Sequence, residues 1–164
     1  MNKFKIALAA AAIGFIAAPM SANAADATGA ATATVVAPIA ITKNTDLGYG
    51  SIAPTGTAGT VTIAATAAGA RSGSNVDLLS TDAGSSGDFS VTGEGTSTFS
   101  TTIASPVTLN GPSAATMSST LTNNAPAALT GGAATINVGG ELSVGAAQTA
   151  GSYTGAFTVT VAYN

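Results

Sequence analysis

The sequence predicts an all-β fold, a sandwich or barrel of short strands, on three observations. Apolar and polar residues alternate with period 2 along most of the chain, clusters of Gly, Pro, Asn and Ser separate the alternating pieces, and no ten-residue window competes as a helix. The clearest alternation is the last. From Gly155 to Tyr163 the odd positions hold Phe157, Val159, Val161 and Tyr163, while the even ones hold Ala156, Thr158, Thr160 and Ala162. Such a strand has one face for a core and one for water.

In chain order, the first element lies outside that fold. Lys3 and Lys5, an apolar run from Ile6 to Ala18 and the small-residue box Ala22-Asn23-Ala24 form the three regions of a secretory signal, with cleavage expected after Ala24. The apolar run falls short of the roughly 20 residues that span a bilayer. Cleavage removes 24 of the 164 residues, leaving 140, and takes both lysines with it, so the formal charge moves from −3 to −5. An exported protein is the expectation.

Next comes a stretch that alternates but has small side chains: Ala27, Gly29, Ala31, Ala33, Val35, Ala37, Ile39 and Ile41, with Thr28, Thr32, Thr34 and Thr42 between them. Pro38 divides it, because proline donates nothing to a ladder and is confined to edges, strand starts and breaks. Upstream lies an arm, residues 25–38, that cannot fold alone and must pair with a sheet edge; downstream a strand starts near Ile39. Further strands are expected at Thr60–Ala64, Phe89–Thr92, Thr98–Ile103, Val107–Leu109, Ala134–Val138 and Glu141–Val144. Turns are expected at Pro54–Gly59, Gly69–Asn75, Gly84–Gly87, Gly93–Gly95, Asn110–Pro112, Asn123–Pro126, Gly131-Gly132 and Gly139-Gly140. The alanine run at residues 64–68 is the best helical candidate, and Gly69 ends it after barely one turn.

Composition excludes more than it offers. There is no Cys, His or Trp, and the charged fraction is 7 %, against about a quarter in ordinary domains. A thiolate nucleophile, a Cys/His zinc site and a Ser-His-Asp triad are therefore out of reach. Four basic residues in the whole chain leave no electrostatic footprint for nucleic acid. Asp77, Asp82 and Asp88 cluster near Gly84 and Gly87 but lack the spacing of a calcium loop, so they read as solvated turns. Glu94, between Gly93 and Gly95, reads as a hairpin turn rather than an acid, since nothing places Glu141 opposite it. The expectation is no enzyme, no metal and no cofactor. Thr-x-Thr pairs raise ice binding, but their spacing is irregular, and a small outer-membrane barrel would need aromatic girdles that six mature aromatics cannot build.

Against this background the chain resembles a family of small secreted bacterial proteins, DUF4402. The resemblance rests on "ATATVVAPIAITKNTDLGYGSIAP" (31–54), "GTVTIA" (59–64), "FSVTGEG" (89–95), "GGELSVG" (139–145) and "GSYTGAFTVTVAY" (151–163), in order across nearly all of the mature chain. The C-terminus, with Gly151 fourteenth from the end, penultimate Tyr163 and alternating apolar residues between them, is similar to fimbrial (pilin) subunits of the chaperone–usher pathway.

That resemblance implies an immunoglobulin-like β-sandwich over 39–164, incomplete because it lacks the last strand, with residues 25–38 as an extended donor arm. It implies a groove along the strand that carries Gly151, Tyr153, Phe157, Val159, Val161 and Tyr163, filled first by a periplasmic chaperone and then by the arm of the next subunit. The arm would present Ala31, Ala33, Val35 and Ala37, with Val35 its main apolar anchor. The implied partners are copies of itself or related subunits, the chaperone and an outer-membrane usher. The implied location is the periplasm in transit and then a cell-surface fimbria. No membrane insertion is expected. The competing expectation is a self-contained adhesin or carbohydrate-binding module whose arm folds back into its own groove.

Overall fold

A computed structural model describes residues 24–164, and the signal segment and its cleavage site read above lie outside them or at their margin. The described residues contain eleven strands and one short 3-10 turn, Pro112–Ala114. The fold is all-β and sandwich-like. Residues 24–34 are exposed and form no strand.

From Val35 onward the strands are β1 (Ala40–Thr45), β2 (Ile52–Pro54), β3 (Gly59–Ile63), β4 (Arg71–Ser74), β5 (Val76–Leu78), β6 (Gly87–Thr92), β7 (Phe99–Ile103), β8 (Val107–Asn110), β9 (Thr116–Asn123), β10 (Ala133–Val144) and β11 (Val159–Tyr163). β10 organises the rest. One of its edges pairs with β9 over Val138–Ser143; the other pairs first with β6, over Ala133–Val138, and then with β3, over Gly140–Val144. β1 extends the sheet beyond β6, β4 beyond β3, and β8 beyond β9, all antiparallel. A separate pair, β7 with β11, packs against the first half of β10, and β2 pairs with β5.

The layer order β1-β6-β10-β9 facing β7-β11 follows the immunoglobulin plan, in which strands A, B, E and D face C, F and G. Among the described residues no strand takes the place of G. Between the layers lies a core of Phe89, Val91, Phe99, Leu129, Ile136 and Val138. A second core, Tyr49, Val61, Ile63, Met117, Leu142 and Val144, sits on the other half of β10.

Several expected elements are corrected. Gly139-Gly140, read as a turn, lies inside β10, where both glycines are buried. A Cβ on Gly140 would stand 2.7 Å from the Tyr49 hydroxyl and 2.8 Å from the Thr120 carbonyl, so the residue serves close approach rather than reversal. Arg71–Ser74, inside the expected turn Gly69–Asn75, forms β4. β9 was absent from the expected elements altogether, because its alternation of Met117 and Ser119 with Ser118 and Thr120 has little hydropathy contrast. Residues 64–68 form no helix.

Candidate functional site

β11 runs beside β1 without pairing to it. Among the described residues β1 pairs only with β6, and β11 only with β7, so each keeps one unpaired edge there. The direction of the β11 edge follows from its bonds. The Asn164 N–H donates to the Thr98 carbonyl and the Ala104 N–H to the Thr158 carbonyl, so the main-chain groups of even residues face β7. Those of Val159, Val161 and Tyr163 face outward, toward β1.

The floor between the two edges is apolar. Ile39, Ile41, Phe157, Val159, Val161 and Tyr163 all pack on the Phe89–Val138 core yet remain only partly covered. Phe157 meets Phe89 edge to face, with ring centroids 6.1 Å apart. At the Phe157 end the cleft opens into a cavity of about 770 Å³, lined among others by Leu47, Tyr49, Met117 and Tyr153. Arg71 holds that end in shape: its guanidinium donates to the carbonyls of Tyr49 and Ser51, both at 3.2 Å, and of Leu79 at 2.6 Å.

Inside the cavity wall, Tyr49 and Ser119 share a buried hydroxyl–hydroxyl hydrogen bond. Burial pushes the Tyr49 hydroxyl above its ordinary pKa, while the bond to Ser119 pulls the other way. A raised folded-state pKa means the neutral form is stabilised by folding. That stability is whole below about pH 10 and is lost as pH rises through the folded value. Tyr49→Phe is expected to cost about 1–3 kcal/mol at neutral pH by leaving Ser119 unpartnered, and to flatten the alkaline loss of stability. Urea unfolding at pH 7 and above pH 10 checks both; an unchanged alkaline slope counts against the burial argument.

At the opposite end of the cleft three residues close a ring. The Ala37 N–H donates to Glu94 Oε2 at 3.1 Å, the Tyr163 hydroxyl donates to the Ala37 carbonyl at 2.8 Å, and the same hydroxyl accepts from the Glu94 N–H at 2.6 Å. Glu94, read as part of a turn, therefore also binds the arm.

The expected site residues divide. Val159, Val161 and Tyr163 line the cleft from β11, and Phe157 marks its cavity end. Gly151, Tyr153 and Phe157 are not in the last strand, which begins at Val159 rather than Gly155. The reason is a crossing: Thr154 pairs with Asn110 at the end of β8 whereas Val159 pairs with Ile103 on β7, so the residues between them pass from one strand to the other. Gly151 adopts φ +148° against Pro112, and the Tyr153 hydroxyl donates to the Thr149 carbonyl at 2.7 Å. In the arm, Ala31 and Ala33 are exposed outside any strand, Val35 is 96 % exposed, and Ala37 is held in the ring. Asp88 accepts from Asn44 and Asn137, and Asp82 from the Gly84 N–H, so these two carboxylates serve sheet and turn bonds, while Asp77 is exposed. Among the described residues no group of three or more His, Cys, Asp or Glu could hold a metal ion.

The geometry defines a β-sandwich domain whose β1 and β11 edges are unpaired among the described residues and flank an apolar cleft. The chain belongs to the DUF4402 family, a domain of unknown function, which matches residues 39–163. No curated protein and no solved structure matches it.

Proposed function

We propose that this chain is the structural subunit of a cell-surface fimbria, polymerised by donor-strand exchange. The observation that carries the reading is the cleft: two neighbouring strand edges, β1 and β11, left unpaired over a partly bare apolar floor. Unpaired edges and exposed core are a template for another strand, and strand addition satisfies both at once. The chain supplies a matching segment in residues 25–38, which alternates small apolar residues and includes the exposed Val35. Export by the N-terminal signal, capture of the open cleft by a periplasmic chaperone and hand-over at an outer-membrane usher complete the proposal. A self-contained binding module would need the arm in its own cleft, and Val35 at 96 % exposure speaks for the polymer instead.

A synthetic peptide of residues 25–38 tests the cleft directly. Added at 100 times its Kd, it is expected to stabilise the chain by about 2.7 kcal/mol, read as a rise in thermal midpoint. A scrambled peptide of equal composition should give no rise. Equal effects of both peptides, or of neither, would overturn the reading.

A further inference from the structure

We infer that Ala37, Glu94 and Tyr163 form an exit clamp that directs the arm away from its own cleft and toward a second copy. This rests on the donor-strand reading and adds to it how one cleft discriminates between two chemically identical arms.

Ala37 is the residue at which the choice is made. It immediately precedes Pro38 and lies three residues before β1, and Tyr163 at the end of β11 lies beside it. To occupy its own cleft, the arm must reverse within the few residues around Pro38 and return alongside β1. The two-residue hairpin turns that would lay the arm directly against β1 use residues with positive φ. Pro38 has a fixed negative φ and biases Ala37 toward extended backbone. No residue from Val35 to Ile41 has a positive φ. The ring then fixes that extended course: both main-chain groups of Ala37 are bound, one by a carboxylate and one by a hydroxyl, and the hydroxyl is itself oriented by the Glu94 N–H. Gly93 leaves the space for it, since a Cβ there would collide with the Tyr163 hydroxyl and stand 2.9 Å from Leu129.

Losing the clamp frees Ala37 to turn, and the arm competes for its own cleft at high effective concentration. The test compares the full wild-type chain with Glu94→Ala, Tyr163→Phe and Glu94→Gln by sedimentation velocity at equal concentration, together with binding of a fluorescent peptide of residues 25–38. The wild type is expected to form oligomers. Glu94→Ala and Tyr163→Phe are expected to raise the ratio of monomer to oligomer about tenfold, from the loss of one to two hydrogen bonds. Their monomers should also refuse the peptide, because the cleft is already filled. Glu94→Gln keeps an acceptor for the Ala37 N–H and should restore oligomers. Glu94 is exposed, so its variants report even if Tyr163→Phe does not fold. Wild-type oligomers with no change in Glu94→Ala overturn the clamp and leave the donor-strand reading standing. A wild type that stays monomeric and refuses the peptide overturns both.

Discussion

Deleting residues 25–37 is expected to abolish filaments while leaving the sandwich folded. The deleted residues supply no strand, and the buried core is built entirely from Tyr49 onward, with Ile39 the first apolar residue packed against it. On the proposed reading, what goes is the donor and the Ala37 end of the clamp, and what stays is the open cleft. The truncated subunit should therefore still bind a peptide of residues 25–38 and still cap the end of a chain of intact subunits, but should pass nothing on. Negative-stain microscopy of surface shear fractions and a thermal melt of the purified variant read the two halves of this expectation. Filaments made by the truncated chain would show that the donor lies elsewhere.

Ile136→Ala is expected to have the largest effect on stability. Ile136 is fully buried in β10, at the point where the strand faces the core of Phe89, Phe99 and Val138. Truncating such a side chain costs about 2–5 kcal/mol through lost transfer free energy and the cavity left behind. Whole domains are stable by only about 5–15 kcal/mol, and the apolar floor of the cleft is partly uncovered. The variant should thus be largely unfolded at 37 °C when alone and partly recovered by the arm peptide. Circular dichroism with and without the peptide measures this, and a loss below about 1 kcal/mol would mean that Ile136 is not a core anchor.

The strands that were legible in the sequence are those whose two faces differ in hydropathy. Phe89, Val91 and the polar residues between them announce β6, and Val159, Val161 and Tyr163 announce β11. β9 was not legible because its inward residues include Ser119, fully buried yet polar, whose place in the core depends on Tyr49, 70 residues away. Gly139 and Gly140 misled for a related reason. A glycine that lets backbones approach and a glycine that reverses the chain look alike until the partner is known, and here the partners are the Ile63 carbonyl for Gly139 and the Tyr49 hydroxyl for Gly140. In the site, Tyr163 was visible as the end of an alternating strand. Its link to Ala37 spans 126 residues and that of Glu94 to Ala37 spans 57, separations at which local pattern carries no information.

The position of β10 has a kinetic consequence. Its partners β3, β6 and β9 are made earlier in the chain, and none of them pairs with another. As the polypeptide is made from its N-terminus, all three are complete before the first residue of β10 arrives to join them. Contacts this distant in sequence close slowly, on the millisecond-to-second scale of all-β domains. During that interval β3, β6 and β9 have only β4, β1 and β8 to pair with, little charge holds the chain soluble, and its survival is a race between the arrival of residue 144 and aggregation.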